Sequence, residues 1–350
     1  MTSSTGNSPR TACEYLKLSL SSPVVVGACP LTLDPEKLRQ MIAAGAGAVV
    51  LPSLFQEQLT AQGQLPLDPV ASSELASHDL KQQIYNGGPD HYLSSIPEIK
   101  RISTVPVIAS LSGYSAGPWL DFAQRLASSG ADALELNIQP VSNDPEQSAG
   151  EIEAEIAKIT QRVCQSVNLP VAVKLTRHLT NAAHTVRRVR LAGAAGVVLF
   201  AHETHWDVAL DRLQWTTRWE LTPVDSAAAT IAGIAQARSG ATDLSIAASG
   251  GVRTAEDALK AMIAGANVVM ITSEVYRSGA SAISRLVQGV ERYLDAHGFA
   301  SLAAFFAARP TPLARNQRLD YLNPLTASKN YHDPSPVTEQ QTGDRYGHRD

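Results

Sequence analysis

Four phrases of one kind recur along this chain: AAGAGAVV, SSGADALE, LAGAAGVV and IAGANVV. Each ends a helical pattern with Gly and runs at once into an apolar strand. Gly just past a helix end adopts the left-handed conformation that closes the helix. Each phrase therefore reads as the αβ turn of a repeated β/α unit. Short Val/Ile/Ala-rich runs recur at the matching spacing: Val24–Val26, Ala48–Leu51, Val107–Leu111, Ala133–Leu136, Val171–Leu175, Gly196–Phe200, Ser245–Ala248 and Val268–Ile271. They are continuous rather than alternating, as in strands buried on both faces. Helical patterns lie between most of them, at Pro35–Ala44, Trp119–Ser129, Ile152–Val167, Ala182–Leu191 and Ala255–Ala264. Eight such strands alternating with helices predict an α/β fold, a (β/α)8 TIM barrel. A doubly wound sheet is the alternative arrangement of the same elements.

The 350 residues suffice for one large domain, and a 44% hydrophobic content can fill its core. The expected organisation is a disordered N-terminus over 1–12, a barrel over 13–310 and a C-terminal extension over 311–350 whose last residues are disordered. Two connections, Ser53 to Thr104 and Ala201 to Asp243, exceed plain βα loops and are expected to cover a site or form an interface. Net charge is −4 and no basic run occurs, so neither nucleic acid nor an acidic membrane is an expected partner. Three cysteines (Cys13, Cys29 and Cys164) without ligand spacing argue for a reducing compartment and against zinc. With no apolar signal core and no stretch of membrane-spanning length, the expected location is the cytoplasm.

In such a barrel the chemistry follows the strand ends. Gly250 and Gly251 follow the seventh run, and Thr272 and Ser273 the eighth. Glycines let backbone approach an anion, so the paired ends suit a phosphate; the bland alternative is a tight turn without a ligand. Lys174 stands in PVAVKL, an otherwise apolar strand. A buried Lys needs a partner or an anionic ligand, and a barrel carboxylate such as Glu135 is the structural alternative. Asn137 follows Glu135 at period two and shares its face; an amide there can bond a ring oxygen or a ring N–H.

At this point the residues resemble a family. The order of PVVVGACPLT, YNGGPDHYL, LELN, AVKL and ASGGVRTAEDALKAMIAGANVVMITSEVYRSG is similar to that of the class 1 dihydroorotate dehydrogenases, over roughly residues 14 to 325. The resemblance implies an FMN-dependent barrel oxidoreductase of pyrimidine metabolism. By position it implies Ala28, Asn86, Asn137, Lys174, Gly250, Gly251, Thr272 and Ser273 as flavin or substrate contacts. It also implies a homodimer and, without an iron–sulfur cysteine cluster here, a redox partner on another chain.

The departures lie on one side. Family members carry a Cys or Ser base after the strand 4 Asn, in a phrase like NLSCPN; here NIQPVSND places Gln139 or Pro140 in that slot. The family Lys after strand 2 is replaced by Pro52, and no Asn stands near Phe200–His202. Oxidation of dihydroorotate requires a base to remove a carbon-bound proton. Ser142 and His202 are the candidate replacements, with His178 and Cys29 behind them. His202, Glu203 and His205 lack a regular metal-ligand spacing. The expectation is hydride transfer between FMN and a small anionic substrate. Two alternatives stay open: a flavin-binding or electron-transfer protein without turnover, and a non-redox phosphate-ligand enzyme in which Lys174 forms a Schiff base.

Overall fold

The computed structural model describes residues 9–61, 85–114, 119–139, 144–223 and 226–310, together with Leu322. The chain divides into two compact units, Met1–Pro310 and Thr311–Asp350, and the barrel lies in the first. Its strands are β1 (Val24–Val26), β2 (Ala48–Val50), β3 (Val107–Gly113), β4 (Ala133–Ile138), β5 (Val171–Leu175), β6 (Gly196–Leu199), β7 (Ser245–Ser249) and β8 (Val268–Ile271). All neighbours pair in parallel, and β8 returns to β1, which closes the sheet. The eight expected strands are therefore present as a (β/α)8 barrel, with ends shifted by one or two residues.

The recurrent turn phrases do what their glycines suggest. Gly45, Gly130, Gly193 and Gly265 all have positive φ, the conformation that ends each helix without a Cβ clash. Helix starts are capped as well: Asp34 accepts from the Glu36 and Lys37 amides, and Thr254 and Asp257 form a reciprocal capping box. Alternate strand residues face two cores. One, between barrel wall and helices, holds residues such as Val49, Leu134 and Val197; the other fills the barrel interior with Val25, Ala172, Val198 and Ala247.

The floor of the barrel is closed by an antiparallel hairpin, Cys13–Tyr15 with Leu18–Leu20. Its tip residue Leu16 is fully buried and donates its amide to Ser245 Oγ at 3.1 Å. Tyr15 enters the interior core beside it. Residues just before the expected boundary at 13 are also packed against the barrel. Thr11 is buried, the Arg10 carbonyl accepts from Leu302 N at 2.8 Å, and the Arg10 side chain pairs with Asp295. The expected disorder of residues 1–8 and of the chain end lies outside the described residues.

Both long connections carry structure at the carboxyl ends of the strands. The first holds a short strand, Leu54–Phe55, beside β3, and the helix Gly88–Ile102. The second holds an exposed antiparallel hairpin, His205–Ala209 with Gln214–Arg218, and then the helix Ala227–Arg238.

Candidate active site

A cavity of about 610 Å³ opens at the carboxyl ends of the strands. Its first end is made of backbone. Gly250 and Gly251 close β7 with φ of 103° and 82°. A Cβ on Gly251 would lie 2.3 Å from the Ala227 amide nitrogen, so only glycine lets this turn rest on the start of the helix Ala227–Arg238. Ser273, after β8, accepts from the Thr222 amide at 3.0 Å and donates to Thr222 Oγ1 at 3.1 Å. The strand-end hydroxyls are thereby tied to the long connection between β6 and β7.

The second end is polar and deep. Asn137 on β4 and Lys174 on β5 are register partners. Lys174 Nζ donates to Glu135 Oε1 at 2.8 Å, with Glu135 only 1% and Lys174 9% exposed. Both readings of this lysine coexist: it is the partner of a buried carboxylate, and it lines the cavity. Glu135 Oε2 and Asn137 Oδ1 are buried and have no hydrogen-bond partner. An unpartnered buried acceptor costs about 1–3 kcal/mol, and the residue that carries this one, Asn137, lines the cavity.

The structure gathers most of the sequence-derived residues. Ala28, Asn137, Lys174, Gly250, Gly251, Thr272 and Ser273 all line this one cavity, as does His202. Asn86 does not. It is buried, and its amide is spent on the Ser53 carbonyl, the Gln58 side chain and the Gly88 amide. It shapes the loop, while its neighbour Tyr85, packed against Phe55 at 5.7 Å between ring centroids, faces the cavity.

Gln139 lines the site and donates to the His202 carbonyl at 3.2 Å. Pro140 and Ser142 lie outside the described residues. His202 meets Trp219 edge-on at 5.2 Å. Partial desolvation, then the nearby His205, hold its pKa below the ordinary histidine value despite Glu203, with Lys174 acting in the same direction. Burial pushes the Cys29 thiol up to about 11, and Cys29 does not line the cavity. His178 is exposed and pairs with Glu203 at 3.3 Å.

Three further features are not visible in sequence. Phe55 and Tyr85 wall one flank, and Trp219 reaches the opposite flank from the long connection. Glu274, just past Ser273, is 5% exposed and gathers Arg253 at 3.2 Å, Arg285 at 3.0 Å and Arg277 at 3.8 Å. Arg177, three residues beyond Lys174, lines the cavity near Gly250. Among the described residues no three His, Cys, Asp or Glu side chains converge as a metal site, and no helix is long and apolar enough to cross a membrane.

Known proteins are similar to this chain in sequence. The family model described as Dihydroorotate dehydrogenase matches residues 81–294. The catalytic subunit of Dihydroorotate dehydrogenase B (NAD(+)) from Methanosarcina acetivorans is 26% identical, over 81% of this chain and 91% of its own length. The same subunit from Methanocella arvoryzae is 27% identical, over 82% and 93%. Dihydroorotate dehydrogenase A (fumarate) from Lactobacillus helveticus is 27% identical over 48% of this chain and 56% of its own.

Proposed function

The chain belongs to the dihydroorotate dehydrogenase family, oxidoreductases that act on CH–CH groups, and we propose that it is an FMN-dependent member acting on a small anionic substrate other than dihydroorotate. The observation that carries this reading is the pairing of two ends in one cavity. A glycine turn seated on the start of the helix Ala227–Arg238 lines the cavity at the end of β7, and Lys174 with Asn137, whose Oδ1 has no partner, lines it at the ends of β4 and β5. These residues fit a planar ring with N–H and carbonyl groups joined to a phosphate.

FMN, when bound, supplies the two-electron redox chemistry. The chain supplies the rest. The strand ends at Gly250 and Gly251 and at Thr272 and Ser273 would hold the phosphate. Asn137 accepts from a ring N–H, and the Lys174 ammonium favours negative charge beside it in a low-dielectric setting. Glu135 orients that ammonium at 2.8 Å; a lysine so paired is a positive charge in the site rather than a Schiff-base nucleophile.

The proton side supports a different substrate. Gln139 cannot take a proton as a base. His202, on the loop after β6, lines the same cavity with its pKa lowered, so near neutrality the ring is available as an uncharged acceptor. Loss of a general base commonly removes about two to four orders of magnitude in rate. The test has two steps. The purified chain is expected to be yellow and to release FMN on heating; a colourless chain that FMN cannot reconstitute overturns the reading. Anaerobic addition of dihydroorotate is expected to bleach the flavin far more slowly than turnover on the order of ten per second. A chain that no small carbonyl or cyclic acid bleaches would be a flavin carrier without turnover, the reading that Gln139 also favours.

A further inference from the structure

We propose that Arg177 is the charged member of the phosphate site, a specificity residue that selects a phosphorylated flavin over its dephosphorylated form; this rests on the FMN reading above. Backbone amides and hydroxyls alone give the glycine cradle only partial charges. Arg177 adds a full one at the same place. Its guanidinium donates to Thr230 Oγ1 at 3.3 Å, and Thr230 in turn donates to the Gly250 carbonyl at 2.9 Å. A Cβ placed on Gly250 would lie 3.4 Å from the same guanidinium nitrogen. One hydroxyl thus fixes the arginine against the first glycine of the cradle. The guanidinium also lies 5.5 Å from the centroid of the Phe200 ring, a stacking that holds the plane while leaving its edge open.

Among the described residues the charge on Arg177 has no carboxylate partner, unlike the others around the cavity. Lys174 is paired with Glu135, and Arg253 and Arg277 are paired with Glu274. Among the described residues no carboxylate comes within ion-pair distance of the Arg177 guanidinium. Glu203 accepts instead from the Arg177 backbone amide at 3.2 Å and pairs with His178. A guanidinium has five donors, and Thr230 uses one. An unpaired, half-buried arginine with free donors, aimed along a glycine turn in a cavity, fits the planar oxygen face of a phosphate monoester, which it can grip with two parallel bonds. Neutral riboflavin presents nothing there for it to hold.

The test is flavin binding rather than turnover. The full-length chain, stripped of flavin, is titrated with FMN and with riboflavin, following flavin fluorescence. R177Q is expected to weaken FMN by about ten- to a hundredfold, the scale of one or two lost charge-assisted hydrogen bonds, and to leave riboflavin unchanged. R177K is expected to recover part of the loss, since it restores charge but not the fork. Equal weakening of both flavins would make Arg177 a loop support acting through Phe200 and Thr230, and would overturn the assignment. Unchanged FMN affinity in R177Q would overturn it as well. Wild type that binds neither flavin would remove the FMN reading and this assignment together, a failure told apart because it appears before any substitution.

Discussion

Two glutamates are buried among the described residues, and their surroundings differ in kind. Glu274, at the rim after β8, has both oxygens engaged: Arg285 and Ser278 bond Oε1, and Arg253 bonds Oε2 with Arg277 beyond. Glu135, inside the barrel, has one partner, Lys174, and one oxygen with none. The rim carboxylate is more than satisfied and fixes the short helix Ser273–Ser278. The interior carboxylate is under-satisfied and holds a charge in place. A buried polar network that leaves an acceptor open is costly, and it is found where the open group has a ligand to meet.

The largest effect is expected from Lys174→Ala. It strands Glu135 as an unpaired buried carboxylate and should lower stability by about 3 to 5 kcal/mol, read by chemical denaturation. On the proposed FMN reading, the same variant should also lower the flavin reduction potential, because the cation proposed to lie beside the ring is gone. A normal potential in a destabilised protein would reduce the interior pair to scaffold. Replacing both partners with hydrophobic residues of similar volume is expected to restore most of the stability but none of the potential, which separates the two roles in one protein.

Glu274→Ala should cost less, about 2 kcal/mol, the worth of lost hydrogen bonds between charged groups. The three arginines are partly solvated, so added phosphate or sulfate can stand in for the carboxylate. Recovery of the melting temperature with such anions is expected for Glu274→Ala and not for Lys174→Ala. Equal rescue of both would erase the contrast between rim and interior.

The smallest effect concerns pH. His202 has a folded pKa below its unfolded value near 6.5. Above that pH the ring is neutral in both states and contributes nothing. As pH falls below about 6.5 the unfolded chain takes up the proton more readily, so folding stability declines until the folded pKa is passed. The solvent-exposed ring makes this decline shallow. His202→Gln should flatten it, and a histidine NMR titration should place the midpoint under 6.5.

The barrel was legible because each strand is a run of Val, Ile and Ala bounded by a Gly turn, and both signals are local. The two hairpins were not. Cys13–Leu20 turns at Leu16 and Lys17, which take positive φ without Gly or Asn, so the usual turn signal is missing. In the site, the residues set by strand ends were readable, since a strand fixes where its last side chain goes. Asn86 fell on a loop, where Gln58 claims its amide from 28 positions away. Arg177 was invisible for the same reason: its meaning comes from Thr230, 53 residues on. The orphaned Glu135 oxygen is a statement about what is not nearby, and no pattern of residue types encodes that.

The hairpin at the floor has a kinetic consequence. With Tyr15 and Leu16 buried at 1% and 0% exposure beneath the barrel, the hairpin stops the end of the barrel opposite the cavity. Whatever gives electrons to the site and whatever small molecule takes them away then share one doorway, in turn. Initial-rate plots for two diffusible substrates should run parallel, the pattern of a chain that releases its first product before admitting the second reactant. Intersecting lines would mean that both reactants occupy the chain at once, against a single shared doorway.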